Sequence, residues 1–118
     1  MTLIYHIATA ASWAQAKRDG DYRVSTLDRT LAEEGFLHAS TAAQLEGVAN
    51  AFYQGVDDLV LLVIDTQAVT AEIRYEQAGR SADPYPHIYG PLNLDAVIDV
   101  RPVRAAASGR FSFPPADL

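Results

Sequence analysis

The sequence predicts an α+β fold with mixed or mostly antiparallel sheets. Segments that read as strands outnumber those that read as helices, and several of the strands are short. The 118 residues suffice for one hydrophobic core and no more, which makes 1–118 a single domain. Strand and helix signals alternate along the chain without repeats, low-complexity tracts or a linker.

The elements follow in order. Leu3 to Ala8 reads as a first strand, with Leu3, Tyr5 and Ile7 on one face and Ile4, His6 and Ala8 on the other. Thr9 or Ser12 caps a helix running to about Lys17, with Gly20 just past its end. Ser25 is expected to cap a short helix ending near Glu34-Gly35. Gly35 to Ala39 is a second strand, on which Phe36, His38 and Ser40 share a face. The best helix follows. Thr41 and Gln44 have capping-box spacing, Leu45, Val48, Ala49 and Phe52 make its apolar stripe, and Gly55 ends it. The continuous apolar run Leu59 to Ile64 suits a central strand covered on both faces. Ala71 to Gln77 alternates, with Ala71, Ile73 and Tyr75 inward and Glu72, Arg74 and Glu76 opposite. Residues 78–94, with Gly79, Pro84, Pro86, Gly90 and Pro91, are expected to be loop. Ala96 to Val100 forms a further strand with Pro102 at its end or on an edge, and Gly109 to Phe113 a last short one.

Composition narrows the function. A net charge of −6 with scattered basic residues disfavours broad nucleic-acid binding, which needs clustered Lys and Arg. The apolar run at Leu59 is far too short to span a membrane, and the N-terminus lacks the pattern of a signal peptide. A soluble cytoplasmic protein is expected. The absence of cysteine excludes disulfides, thiolate nucleophiles and thiolate metal sites.

Chemistry concentrates on three histidines. His6 and His38 lie within apolar strand signals, and His87 lies in the turn-rich Pro84 to Asn93 segment. Histidine is a mediocre strand filler but a good donor, acceptor or base near neutral pH, so these positions suggest a polar cleft cut into a small sheet. His6 either satisfies its nitrogens on nearby backbone or faces a ligand. His38 and Ser40 share a strand face just before a helix N-terminus, where anions such as phosphate are favoured; Ser40 also suits a plain helix cap. The Glu72, Arg74, Glu76 stripe is either a solvated face or brings Glu76 into the cleft as acid, base or cation stabiliser. The 84–93 segment either packs Tyr85 and Tyr89 with His87 exposed, or clamps a ligand with His87, Tyr89 and Asn93. The histidines lack the short ligand spacing of a zinc site, and no residue is assigned to metal. No Gly-x-Ser-x-Gly elbow or glycine-rich phosphate loop is present.

Ile4-Tyr5-His6-Ile7, Glu34 through Ser40, Val48-Ala49-Asn50, Leu59 to Asp65, Tyr75-Glu76 and Pro86 through Asn93, taken in order, resemble the bacterial family known as domain of unknown function 952. The resemblance spans nearly the whole chain. That family is grouped by fold with the ADP-ribosyltransferases, which implies a split, mainly antiparallel β core with flanking short helices and NAD in a cleft between two small sheets. Transferred by position, the resemblance implies that His6 holds a ribose and that His38 with Ser40 cups the nicotinamide ribose. Glu76 would be the acid that steadies an oxocarbenium-like transition state, with Glu72 as its alternative. His87, Tyr89 and Asn93 would add cleft contacts. The usual histidine-glycine-serine/threonine signature of those transferases is here His6-Ile7-Ala8, and His38 stands where many of them have tyrosine, a histidine that resembles the histidine-rich phosphotransferase branch more. The expected function is therefore binding of a nucleotide such as NAD, as substrate and with no required cofactor, followed by transfer or hydrolysis at the ribose C1′. The alternatives are a non-catalytic nucleotide or metabolite binder and a histidine-ligated metal-dependent hydrolase.

Overall fold

The computed structural model describes residues 1–27, 29–77, 83–114 and 118. In chain order its first half holds β1 (Leu3–Thr9), α1 (Ala10–Asp19), β2 (Asp21–Tyr22), β3 (Val24–Thr26), β4 (Arg29–Thr30), α2 (Leu31–Glu34) and β5 (Leu37–His38). The second half holds α3 (Ala42–Phe52), β6 (Leu59–Asp65), β7 (Glu72–Glu76), β8 (Tyr85–Tyr89), β9 (Leu92–Asn93), a 3-10 turn (Leu94–Ala96) and β10 (Val97–Val103). Every pairing between these strands is antiparallel, so the fold is α+β as expected.

The apolar run from Leu59 is the middle strand of the sheet β1-β6-β10. Alternation along β6 splits the core in two. Leu62 and Ile64 pack with Ile4, Ala8 and Tyr22 on one face, together with Leu37 and Ile88 of a second sheet, β5-β8-β7. Leu59, Leu61 and Val63 pack with Tyr5, Ile7, Leu45 and Ala49 on the other, under α3. A strand covered on both faces has no polar position to spare, which is why this run reads as continuous apolar sequence.

Among the described residues, one isolated backbone bridge joins the two sheets. Beyond β5 the chain reaches β1 through an isolated bridge, in which Tyr5 and Ser40 exchange both backbone hydrogen bonds at 2.8 Å. The bridge and the start of α3, where the Gln44 carboxamide accepts the Thr41 N–H at 3.0 Å, fix how β5 leaves its own sheet.

Several expectations are corrected. Ser25 caps no helix; it is buried in β3 and donates its hydroxyl to the Phe36 carbonyl at 2.7 Å. The cap of α2 is Thr30, in a reciprocal capping box with Glu33, and Gly35 closes the helix at φ 87°, a left-handed conformation natural to glycine. The expected loop over 78–94 contains β8, the buried middle strand of its sheet, and β9; positions 78–82 lie outside the described residues. Pro86 is tolerated there because its carbonyl still accepts the Ala39 N–H at 3.0 Å, and the donor it lacks falls where β5 departs toward β1. Tyr75 is half exposed rather than inward. Gly109 to Phe113 pairs with no strand; Phe111 is instead held by the Asn50 side chain through both its N–H and its carbonyl. Pro102 lies within the edge strand β10, as its missing donor allows.

Gly90 is needed for space. A Cβ there would lie 2.8 Å from the Cβ of Ala71, which flanks β7 opposite the end of β8. Gly90→Ala is expected to cost about 1–3 kcal/mol in denaturant unfolding, with much of it recovered by adding Ala71→Gly. Equal stability of wild type and Gly90→Ala would contradict this packing.

Candidate functional site

A cavity of about 540 Å³ opens where β1 and β5 part beyond the Tyr5–Ser40 bridge. His6, His38, Ser40, Tyr85 and His87 line it from the strands, Arg29 and Glu34 from the β4–α2 corner, and Val48, Phe52 and Tyr53 from α3. All three histidines therefore meet at one site, and their environments assign each a different role.

His6 is 4% exposed, and both of its ring nitrogens are occupied. Nδ1 donates to the His38 carbonyl, and Nε2 accepts from the Tyr22 hydroxyl at 2.9 Å. Burial lowers its pKa from 6.5 to about 4, so the ring is neutral and the pattern fixes its tautomer. Burial also pushes the Tyr22 hydroxyl well above its ordinary pKa, which keeps it a donor. His6 thus holds the backbone that carries His38, in line with the first of the two roles open to it.

His87 is also 4% exposed but only half satisfied. Its Nδ1 lies 3.0 Å from Glu76 Oε1. Hydrogen bonds from Tyr89 and His87 hold the Glu76 carboxyl below the usual carboxylate range. An ionised carboxylate only accepts, so Nδ1 carries the proton, and in the neutral ring Nε2 is bare. Among the described residues, Nε2 is the buried side-chain polar atom without a partner. Phe36 stacks on the ring at 4.2 Å between centroids and 23° between planes, which fixes its orientation. His87 lines the cavity, and its buried Nε2 has no partner while Nδ1 is anchored, the one-sided anchoring that an oriented base needs.

His38 is the cross-strand neighbour of His87, with ring centroids 5.4 Å apart. It is partly exposed, and its pKa is lowered, first by burial and then by the nearby His87. Its Nε2 stands 3.9 Å from Glu34.

The remaining predicted residues fall on two sides. Ser40 lines the cavity, and Thr41 rather than Ser40 takes the N-cap position of α3. Glu76 and Tyr89 share a face with His87 but lie behind it, so Glu76 acts through the imidazole. Arg74 rests over the Tyr89 ring at 4.5 Å and pairs with Glu72 at 3.0 Å, which keeps Glu72 away from the histidines. Asn93 is placed elsewhere: it accepts from the Thr70 N–H at 3.0 Å and donates to the Ala68 carbonyl at 2.8 Å, tying β9 to the segment before β7. Arg29, Glu34, Phe36 and Tyr22 complete the site without having been singled out. Two of them had a sequence signal: Glu34 in its four-residue spacing from His38, and Phe36 in the strand face it was expected to share with His38. Among the described residues no three histidine or carboxylate side chains converge to hold a metal, and His6 would have to give up an internal hydrogen bond to join them.

The sequence profile of a family described as protein of unknown function (DUF952) matches residues 7–100. The chain belongs to this DUF952 family. Among solved structures, the crystal structure of protein CC0527 from Caulobacter crescentus superposes with a TM-score of 0.82 at 32% identity, covering 94% of each chain. The solution NMR structure of CC0527 gives a TM-score of 0.75 at 32% identity, covering 95% of this chain and 93% of that one. No curated protein matches the chain. The DUF952 fold is thus shared with CC0527, and a reading of its site must come from the side chains.

Two predictions follow from the buried His6 pair. The His6 contribution to stability is fully present above pH 6.5 and is lost as pH falls toward 4, because the unfolded chain takes up a proton that the folded one refuses. Unfolding free energy should fall across that window by about 3 kcal/mol from this group, and His6→Gln should flatten the profile. Tyr22→Phe, which strands Nε2 of His6, should cost about 1–3 kcal/mol. A pH profile unchanged by His6→Gln would contradict the first, and an unaltered melting temperature for Tyr22→Phe the second.

Proposed function

We propose that the cavity is an active site of ADP-ribosyltransferase-like type, in which His87 Nε2 is the base for a reaction at the ribose C1′ of a nucleotide, with NAD as the candidate substrate. The observation that carries this reading is the bare, buried Nε2 of His87, held by Glu76 on its other side. The cavity's shape supports the ligand class: Val48 and Phe52 offer an apolar wall for a flat base, while Arg29, His38 and Ser40 offer polar partners for sugar and phosphate. The cleft lies between two antiparallel sheets, which agrees with the fold that the sequence resemblance implies.

In this mechanism the attacking water or acceptor hydroxyl gives its proton to His87 Nε2 as its oxygen bonds to C1′. The C1′–N bond breaks, and its electron pair leaves on the nicotinamide nitrogen, which departs as neutral nicotinamide. Glu76 stabilises the imidazolium that forms and fixes its orientation, so it is a positioning residue; His87 is the catalytic one. This replaces the direct contact between Glu76 and the sugar expected from sequence. His38 and Ser40 position the substrate, and His6 supports them from behind.

Nicotinamide release from NAD tests the reading. Wild type should release nicotinamide, and His87→Gln should do so at least about a hundredfold more slowly, the lower range of general-base contributions. Glu76→Gln should lower kcat while leaving the Kd for NAD unchanged. NAD binding with no release by wild type would overturn the catalytic reading in favour of a binding module, and full activity in His87→Gln would remove the base.

A further inference from the structure

We infer that Arg29 and His38 form a phosphate subsite at the cavity mouth, in which the Glu34 carboxylate stands in the place of a ligand phosphate. This deepens the active-site reading and rests on it only for the location of the cavity.

Glu34 Oε1 lies between two cationic or potentially cationic groups, 3.7 Å from Arg29 Nη1 and 3.9 Å from His38 Nε2. Both distances exceed hydrogen-bond length, and among the described residues neither the Arg29 nor the Glu34 side chain is held by a hydrogen bond. The guanidinium therefore keeps its donors unspent beside a cavity, balanced by the loosely placed Glu34 and, at longer range, by the Glu33 carboxylate. A phosphate reaching the same point would offer more oxygens and more charge than the carboxylate, and could bond Arg29 and His38 together.

A second, independent feature points to a ligand at this place. His87 lines the same cavity with its buried Nε2 unpartnered, and the rings of His87 and His38 are adjacent. A bare nitrogen asks for a donor, whereas Arg29 asks for an acceptor. The group that answers both is a phosphate ester carrying a free hydroxyl, as in a sugar phosphate or nucleotide. Glu34 then acts as an internal competitor: it neutralises the mouth when the site is free and swings aside when phosphate enters. The arrangement selects for anions strong enough to displace a carboxylate.

The test is titration with inorganic phosphate in a phosphate-free buffer at neutral pH, read from the His38 ring resonances by NMR. It compares wild type, Glu34→Gln and Arg29→Ala. Both altered side chains lie at the surface corner, and thermal unfolding should confirm that the three forms are equally folded. Glu34→Gln should bind phosphate about threefold to fivefold more tightly than wild type, the range that a part-exposed ion pair can supply. Arg29→Ala should weaken binding by at least that factor. Binding unchanged or weakened in Glu34→Gln, unaffected by Arg29→Ala, or not saturable even in Glu34→Gln would overturn the subsite. Inorganic phosphate has no glycosidic bond, so this outcome is independent of nicotinamide release. Phosphate binding without NAD turnover would keep the subsite and remove the C1′ chemistry, and turnover without phosphate binding would do the reverse.

Discussion

The backbone bridge between Tyr5 and Ser40 is the constraint on which the site depends, because it is the point at which the two sheets are tied. One residue on either side of it, the chains carry His6 and Ala39, and the His6 ring then bonds the carbonyl of His38. A single pairing thus fixes the separation of the sheets, the depth of the cleft and the height at which His38 faces His87. The bridge costs little in sequence terms, since it uses main-chain atoms. What it demands is that β5 stop after two residues, and Pro86 helps enforce this by lacking the N–H that would extend the pairing.

Around that frame His87 and His38 each have a carboxylate at the back or side. Glu76 is anchored to His87 by a direct hydrogen bond and buttressed by Tyr89, so its charge is committed to orienting one ring. Glu34 is loose, shared between His38 and Arg29, and free to exchange partners. The first arrangement prepares a base; the second leaves an anion position that can be refilled. His6, its pKa lowered to about 4 by burial, takes no proton near neutral pH and serves as a rigid strut. In the proposed reading, environment alone divides three residues of the same type between support, binding and proton transfer.

Much of this was legible in the sequence where local rules dominate. The central strand from Leu59, the capping box at Thr41, the first helix ending before Gly20 and the edge position of Pro102 all follow from periodicity and cap chemistry, and the structure keeps them. The histidine cleft was legible because histidine is unusual in apolar strands. Tertiary context decided the rest. Proline and glycine density argued for loop over 78–94, yet β8 forms and is buried because the donor Pro86 lacks falls where β5 has left the sheet. Ser25 resembled a cap, yet its hydroxyl found the Phe36 carbonyl across a turn. The role of Asn93 could not be read because its partners, Ala68 and Thr70, are distant in sequence. Arg29 carries no local pattern at all; only the fold brings it to the cavity.

The account turns on the proton inventory of the two buried histidines. The direct measurement is a long-range nitrogen–proton correlation spectrum of the imidazole rings at neutral pH. Burial makes His6 a neutral Nδ1–H tautomer, and the base role proposed for His87 requires its Nε2 to show the shift of an unprotonated nitrogen. A proton resident on Nε2 of His87, as the other tautomer or as a fixed imidazolium, would contradict the base role, because the nitrogen left unpaired by Glu76 could then no longer accept a proton.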